Sequence, residues 1–366
     1  MSSVAVIGCG VIGAAIAYEL SKHDYQVTLI DQKQPGAGAT GAALGIMMGI
    51  ISHKFKGRAW QLRYSSLQLY DTWIPELESL TGLKIPYHRQ GILKLTSNES
   101  ELAKWQQLVK IRQEQGLNLE IWDLDQIKRR CPQIDINRNE ILASLYSPDD
   151  RQVNPSILTQ ALVNAAISRG VHCLFEVKVD ELITTSPSHC GQIRTSRGIL
   201  DVDWVIVAAG IGSTPLVKSL TIRPVLGQAI QLKLPHSLGD FEPIITGDDV
   251  HIVPLGNGEY WLGATVEFSL GENQEIIPDS SLLEMVKNKA IAFCPNLAPG
   301  EIQNIWYGLR PRPENQPAPV IENLTGYNNV LLATGHYRNG VMLAPATAKA
   351  VLESLENKNI PPQFEK

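Results

Sequence analysis

Apolar residues fall into short continuous blocks that alternate with stretches of helical period, the signature of an α/β chain. Residues 3–7 form a β-prone run, 14–22 carry small residues at helical spacing, and a second strand over 27–30 ends at Asp31. Together they predict a β-α-β unit of about thirty residues. Leu67, Tyr70, Ile74 and Leu77 recur at helical spacing within 59–80 and predict one core face. A strand is expected over 91–95 and a largely polar, solvated helix over 97–115. Asn154 and Pro155 predict the cap and first turn of a helix reaching Arg169, followed by a strand over 171–175. The run 204–208 ends in Ala209 and Gly210, so a buried parallel strand delivers a glycine turn to a sheet edge.

Beyond residue 222 the pattern changes. Strands over 225–234, 251–255 and 260–264, the last two joined through Gly256, Asn257 and Gly258, predict a separate antiparallel layer. A buried strand over 330–333 then enters a glycine-bounded loop, 335–340, and a helix over 341–355.

Gly8, Gly10 and Gly13 spell G-x-G-x-x-G between the first strand and helix. Such glycines allow a tight turn, close approach of backbone to a pyrophosphate, and close helix–strand packing. Asp31, about twenty residues on, is placed to accept hydrogen bonds from a ribose. A lone glycine motif is weak; the flanking elements and Asp31 raise it to a dinucleotide site, against a structural turn. The glycine- and alanine-rich stretch 35–49 separates FAD from NAD, because it lets backbone lie flat against a large ring or a second phosphate. The competing reading is helix packing through small residues.

Composition narrows the class further. The 366 residues carry a formal charge of −5, which argues against a nucleic-acid partner held by a basic face. Five scattered cysteines without a C-x-x-C pair, and histidines without H-x-H or H-E-x-x-H spacing, predict no disulfide scaffold and no metal. They fit a reducing compartment, and the cytoplasm is expected. The apolar stretches 4–18 and 36–52 are too short or too weakly hydrophobic for a transmembrane segment.

Two arginines stand out. Arg338 is flanked by glycines at the end of a buried strand, and Arg310 lies in the run 308–313. Either could offer its planar fork to a carboxylate, with Arg312 competing for the role of Arg310 and a surface position competing for Arg338. If the 335–340 loop covers a cofactor ring, the following helix points its positive end there, which favours a reduced, anionic flavin.

Gly335-His336-Tyr337-Arg338-Asn339-Gly340, continuing through Val341 and Met342 to Thr347, resembles the C-terminal flavin motif of glycine oxidases, within the D-amino acid oxidase family. Gly308-Leu309-Arg310-Pro311, His251-Ile252-Val253-Pro254, Leu262-Gly263-Ala264-Thr265, residues 40–45 and the N-terminal fingerprint resemble that family in the same order, over nearly the whole chain. The resemblance implies an α/β fold. A Rossmann-type, glutathione-reductase-like FAD-binding domain (1–84, 145–220, 326–366) would join a substrate domain with an antiparallel sheet and helices (85–144, 221–325). It implies non-covalent FAD held by Gly8, Gly10, Val11, Ile12, Gly13, Asp31 and Gln32 on the adenosine and pyrophosphate side. Thr40, Leu44, Gly45 and Ile46 would run towards the ring, with Val179 near the adenine; Gly210 joins the cofactor candidates from its place at the sheet edge, not from the resemblance. His336, Tyr337, Arg338, Asn339, Gly340, Val341 and Met342 would surround the isoalloxazine.

Arg310 would pair with the substrate carboxylate beside Arg338. His251 stands where glycine oxidases typically carry a tyrosine, and is as readily a core residue as a substrate contact. Residues 311–317 lack the family's usual small and acidic residues, and the glycine-rich stretch is one residue longer near Met47 and Met48. The implied reaction is oxidation of a small amine bearing a carboxylate, such as glycine, sarcosine or a small D-amino acid. Hydride passes to flavin N5, and the products are a keto acid, ammonia and hydrogen peroxide, with a link to thiamine thiazole synthesis. No protein acid, base or nucleophile is required, because the nitrogen lone pair expels the hydride. Oxygen or a quinone could take the electrons. A D-amino acid dehydrogenase and a non-catalytic flavin-binding protein are the alternatives, and a homo-oligomer is left open.

Overall fold

The computed structural model describes residues 1–137, 140–269 and 275–357. The last nine positions of the expected cofactor-binding part, 358–366, lie outside the described residues.

Three hydrophobic cores organise the chain. The first layer is a six-stranded sheet in the order Val320–Asn323, Val330–Thr334, Trp204–Val207, Ser2–Ile7, Tyr25–Asp31, His172–Phe175. All neighbours are parallel except the first pair. One face is covered by the helices Val11–Leu20, Gly57–Thr81, Pro155–Ser168 and Gly340–Asn357. The other carries a meander, Val179–Ser186, His189–Thr195 and Gly198–Asp201. Helices cross between the parallel strands because only a long connection returns the chain in the same direction.

The second layer is a nine-stranded sheet. Near one edge Ile222–Lys233 pairs with Glu259–Gly263 on one side and with the long edge strand Glu301–Pro313 on the other. Alternation sorts its side chains: Ile92, Ala229, Ile244 and Val253 face the first layer, whereas Leu93, Ile230, Ile245 and Ile252 face Leu124–Arg130 and Ser280–Phe293. The sheet is antiparallel apart from one parallel pair, Ile244–Gly247 beside Ile92–Thr96.

The expected α/β fold with a second sheet is what forms. The glycine-rich stretch 35–49 is a loop that includes the short strand Ile46–Met47, so its competing reading as helix packing does not hold. The helix Glu99–Glu114 is not a purely solvated one: Trp105, Leu108 and Arg112 are buried along one stripe. The strand Glu301–Pro313 tolerates Pro311 and Pro313 because it borders a single partner, so no second ladder needs their missing N–H groups.

Candidate active site

The first strand, its two parallel neighbours and the first helix build a narrow cradle. Gly8 leaves the strand at φ +104°, and a Cβ there would lie 2.6 Å from Ala208 O. A Cβ on Gly13 would lie 1.8 Å from Gly8 O, so helix and strand are as close as backbone allows. Gly10 caps the helix without a side-chain bond, and no acidic residue occupies the first turn. The Val11 N–H donates to Thr40 Oγ1 (3.0 Å), which draws the 35–49 loop against the helix start. Asp31 accepts from Cys9 N (2.6 Å) and Lys33 N (2.8 Å), one bond per oxygen, and each oxygen retains acceptor capacity. A positive helix end beside a carboxylate suits a pyrophosphate followed by a ribose.

Several predicted cofactor residues reach this region through backbone alone. Val11, Ile12, Val341 and Met342 bury their side chains in the main core, and Val179 buries its own in the meander core. Gln32 is exposed. Val179 begins the strand just after Val177, whose N–H donates to Asp31 O (3.0 Å). His336 turns inward, with Nε2 2.9 Å from Thr347 Oγ1.

The loop beyond the cradle is held from both polar sides of its backbone. Gly45, at φ +74°, lies so close to Val153 that a Cβ would sit 1.8 Å from its carbonyl oxygen. Gln152 Nε2 donates to Leu44 O (3.0 Å). Buried Asp150 accepts from Gly49 N (2.7 Å), Ile50 N (2.9 Å) and Ile51 N (2.8 Å). Burial pushes this carboxyl above its ordinary value, and the three N–H bonds pull against that shift. Opposite it, buried Arg112 donates Nε to Ile50 O (2.8 Å) and Nη2 to Ser52 O (2.9 Å) and Lys54 O (3.1 Å), with its Cζ 3.7 Å from the Trp60 ring centre. Sequence reading missed both residues.

The second sheet presents the other wall. Register sets His251 opposite Gly263, Gly263 opposite Ala229, Gly227 opposite Gly308, and Val225 opposite Arg310. Small residues thus leave a shallow floor between His251 and Arg310. The Arg310 guanidinium lies over Gly227 and donates Nη1 to Leu226 O (3.1 Å) and Thr265 O (3.0 Å). That leaves Nε and Nη2, one edge of the fork, without protein partners among the described residues. Arg312, the competing candidate, is exposed and sits 5.6 Å from the Phe268 ring centre.

Tyr337, at φ +53°, donates its N–H to Pro311 O (3.0 Å), tying the loop of Arg338 to the strand of Arg310. Gly210, also predicted, packs near Pro311. Burial, then the like charge of Arg338, pull the Arg310 guanidinium below its ordinary value. Arg338 itself is exposed, the surface position that competed for it, with its Cζ 5.4 Å from the Tyr337 ring centre.

Burial lowers the His251 imidazole to about 4; Asp249 opposes the shift, and Arg338, Arg310 and Lys94 add to it. Its Nδ1 has no hydrogen-bond partner among the described residues. Burial, with Arg58 adding to it, lowers His336 to about 3. Both histidines are therefore neutral when folded at pH 7. Their stabilising share is complete above the unfolded value of about 6.5 and is lost as pH falls from there towards 4 and 3. Calorimetry should accordingly show Tm falling between pH 6.5 and 5, a range above most carboxylate titrations, and His336→Gln should reduce that slope. A Tm independent of pH over this interval would contradict the neutral assignment.

The parallel sheet with its dinucleotide cradle, facing an antiparallel wall, is the architecture of a nucleotide-cofactor oxidoreductase. The chain belongs to the DAO family of FAD-dependent oxidoreductases, whose model matches residues 3–354. It is 30% identical over 366 residues to the bifunctional protein ThiO/ThiG of Trichormus variabilis, covering 98% of this chain and 53% of that protein. It therefore spans about half the length of that relative. To the glycine oxidase of Bacillus subtilis it is 28% identical, covering 97% and 93% of the two chains. The crystal structure of glycine oxidase from Geobacillus kaustophilus superposes with a TM-score of 0.89 at 24% identity, over 100% of this chain and 98% of that one. That of L-proline dehydrogenase from P. horikoshii gives 0.86 at 21% identity, over 100% and 96%; these two likenesses concern the fold.

FAD fits the residues present. A Cβ would fill the cradle at Gly8 and Gly13, the first helix offers an unneutralised positive end, and Asp31 keeps acceptor capacity for ribose hydroxyls. Among the described residues, no group of metal-ligating side chains is found and no helix is long and apolar enough to cross a membrane.

Proposed function

We propose that this chain oxidises a small amino acid, glycine in the first instance, to the corresponding oxo acid. The observation that carries the reading is the Arg310 guanidinium laid over Gly227, with Nη1 fixed by two carbonyls and the Nε/Nη2 edge left for a carboxylate. Arg338, joined to it through Tyr337 and Pro311, adds a second positive charge. The neutral His251 brings no third positive charge against the amine.

FAD, when bound, supplies the two-electron acceptor. Arg310, seated over Gly227, fixes the carboxylate. The amine reacts in its neutral form, so its lone pair becomes the C=N bond as the α-hydrogen departs with its electron pair. Water then hydrolyses the imine; overall, glycine, oxygen and water give glyoxylate, ammonia and hydrogen peroxide.

The finer assignments belong to the same reading. Oxygen is the acceptor in preference to a quinone. The imine feeds thiamine thiazole synthesis, in keeping with the name of the ThiO/ThiG relative. The protein works in the cytoplasm, where its five free cysteines stay reduced. Residues 1–84, 145–220 and 326–366 serve the cofactor, and 85–144 with 221–325 serve the substrate.

Anaerobic addition of glycine, sarcosine, D-alanine, D-proline and the L counterparts tests the reading by flavin absorbance. Bleaching by glycine or another small member is expected; an unchanged spectrum with all of them would leave a flavin-binding protein without this activity. Arg310→Ala should keep the bound flavin and raise KM by about a hundredfold, the loss of two charge-assisted bonds at about 1.5 kcal/mol each. An unchanged KM would remove Arg310 from the substrate.

A further inference from the structure

Behind Arg310 lies a buried acid that the proposed reaction does not use. Glu267 is 7% exposed and has no ion-pair partner among the described residues. Its Oε1 accepts from Gln228 Nε2 (2.9 Å) and from Thr265 Oγ1, and its Oε2 accepts from Asp279 N (2.9 Å). A buried carboxylate with three converging donors is satisfied, so it is held in one orientation.

Thr265 connects this acid to the guanidinium. Its hydroxyl donates to Glu267 and accepts from Gln228 N (2.8 Å), its N–H donates to Gln228 O (3.2 Å), and its carbonyl accepts from Arg310 Nη1 (3.0 Å). The other acceptor of Nη1, Leu226 O, belongs to the residue paired with Glu267 across the strands. Both carbonyls that fix Arg310 therefore sit on backbone whose position Glu267 sets. The Gln228 amide, which also donates to Asp279 O (2.8 Å), closes the network on its far side.

We propose that Glu267 is a positioning residue: through Thr265 and the Leu226–Gln228 backbone it fixes the plane of the Arg310 guanidinium, so that the Nε/Nη2 edge meets a carboxylate squarely. This rests on the reading that Arg310 grips the substrate carboxylate. Charge and geometry act in opposite directions here, which makes the assignment testable. As a bare negative charge behind Arg310, Glu267 would weaken anion binding, and its neutralisation would tighten it. As an orienting strut, its neutralisation weakens anion binding, because an amide at position 267 turns a donor towards one of the three converging donors.

The test is calorimetric titration of the flavin-loaded protein with acetate, beside steady-state kinetics with glycine, for wild type, Glu267→Gln, Thr265→Val and Arg310→Ala. Glu267→Gln should raise the acetate Kd and the glycine KM by about tenfold, the worth of one charge-assisted bond, with kcat changed less than twofold and flavin content unchanged. Thr265→Val, which cuts the link while leaving the acid, should do the same; it also serves if the Glu267 variant folds poorly. Tighter or unchanged acetate binding in both variants overturns the positioning role, as does a fall in kcat with KM held. If Arg310→Ala itself binds acetate like wild type, it is the clamp reading that fails.

Discussion

Gly227→Ala is expected to abolish productive substrate binding while leaving a folded, flavin-loaded protein. A Cβ at this position would lie 2.2 Å from Arg310 Nη1 and Nη2 and 2.3 Å from Cζ, so the guanidinium must leave its bed. Gly227 is not among the positive-φ glycines, and alanine meets no backbone penalty there. What it displaces is the far end of a flexible side chain, so the cost falls on the site and not on the fold. Arg310 would lose its bonds to Leu226 O and Thr265 O, and with them the alignment of the edge it offers. Two charge-assisted bonds to substrate are worth about 3–6 kcal/mol, which corresponds to a KM increase of about a hundredfold or more. Kinetics with glycine, read beside flavin content and Tm, check this; normal KM in a stable variant would mean that the guanidinium works from elsewhere.

Asp150→Ala should produce the largest loss of stability. It strips the acceptor from the N–H groups of Gly49, Ile50 and Ile51, all three buried. At about 1–3 kcal/mol for each unsatisfied donor the cost is about 3–9 kcal/mol, and Tm should fall by roughly 4–12 °C. Flavin should also wash out on gel filtration, because this segment continues the loop that runs from the cradle through Leu44 and Gly45. Asp150→Asn keeps an acceptor oxygen and should fall between the two. Thermal melting and the protein-to-flavin absorbance ratio provide the readouts, and a variant as stable as wild type would show that Arg112 alone holds the loop.

The contrast between these residues and the glycine motif explains what a sequence can disclose. Gly8, Gly10, Gly13 and Asp31 act within one short β-α-β segment, so their spacing carries the geometry. Arg338 drew notice through the glycines around it, and its side chain is exposed. Asp150 meets Gly49 across 101 positions and Arg112 meets Ile50 across 62, with no periodicity to announce either. Arg112 was hidden further by the polar residues around it, which made its helix look solvated although it reaches under the loop. Gly227 and Glu267 lie on strands whose pairing with Arg310 exists only once the register is set. Discrimination between Arg310 and Arg312 needed the structure for the same reason: both lie on one side of their strand, and only the bed over Gly227 separates them.

The single bond from Tyr337 to Pro311 has a mechanical outcome. It fastens the loop bearing Arg338 to the strand bearing Arg310, so these two stretches of main chain shift together.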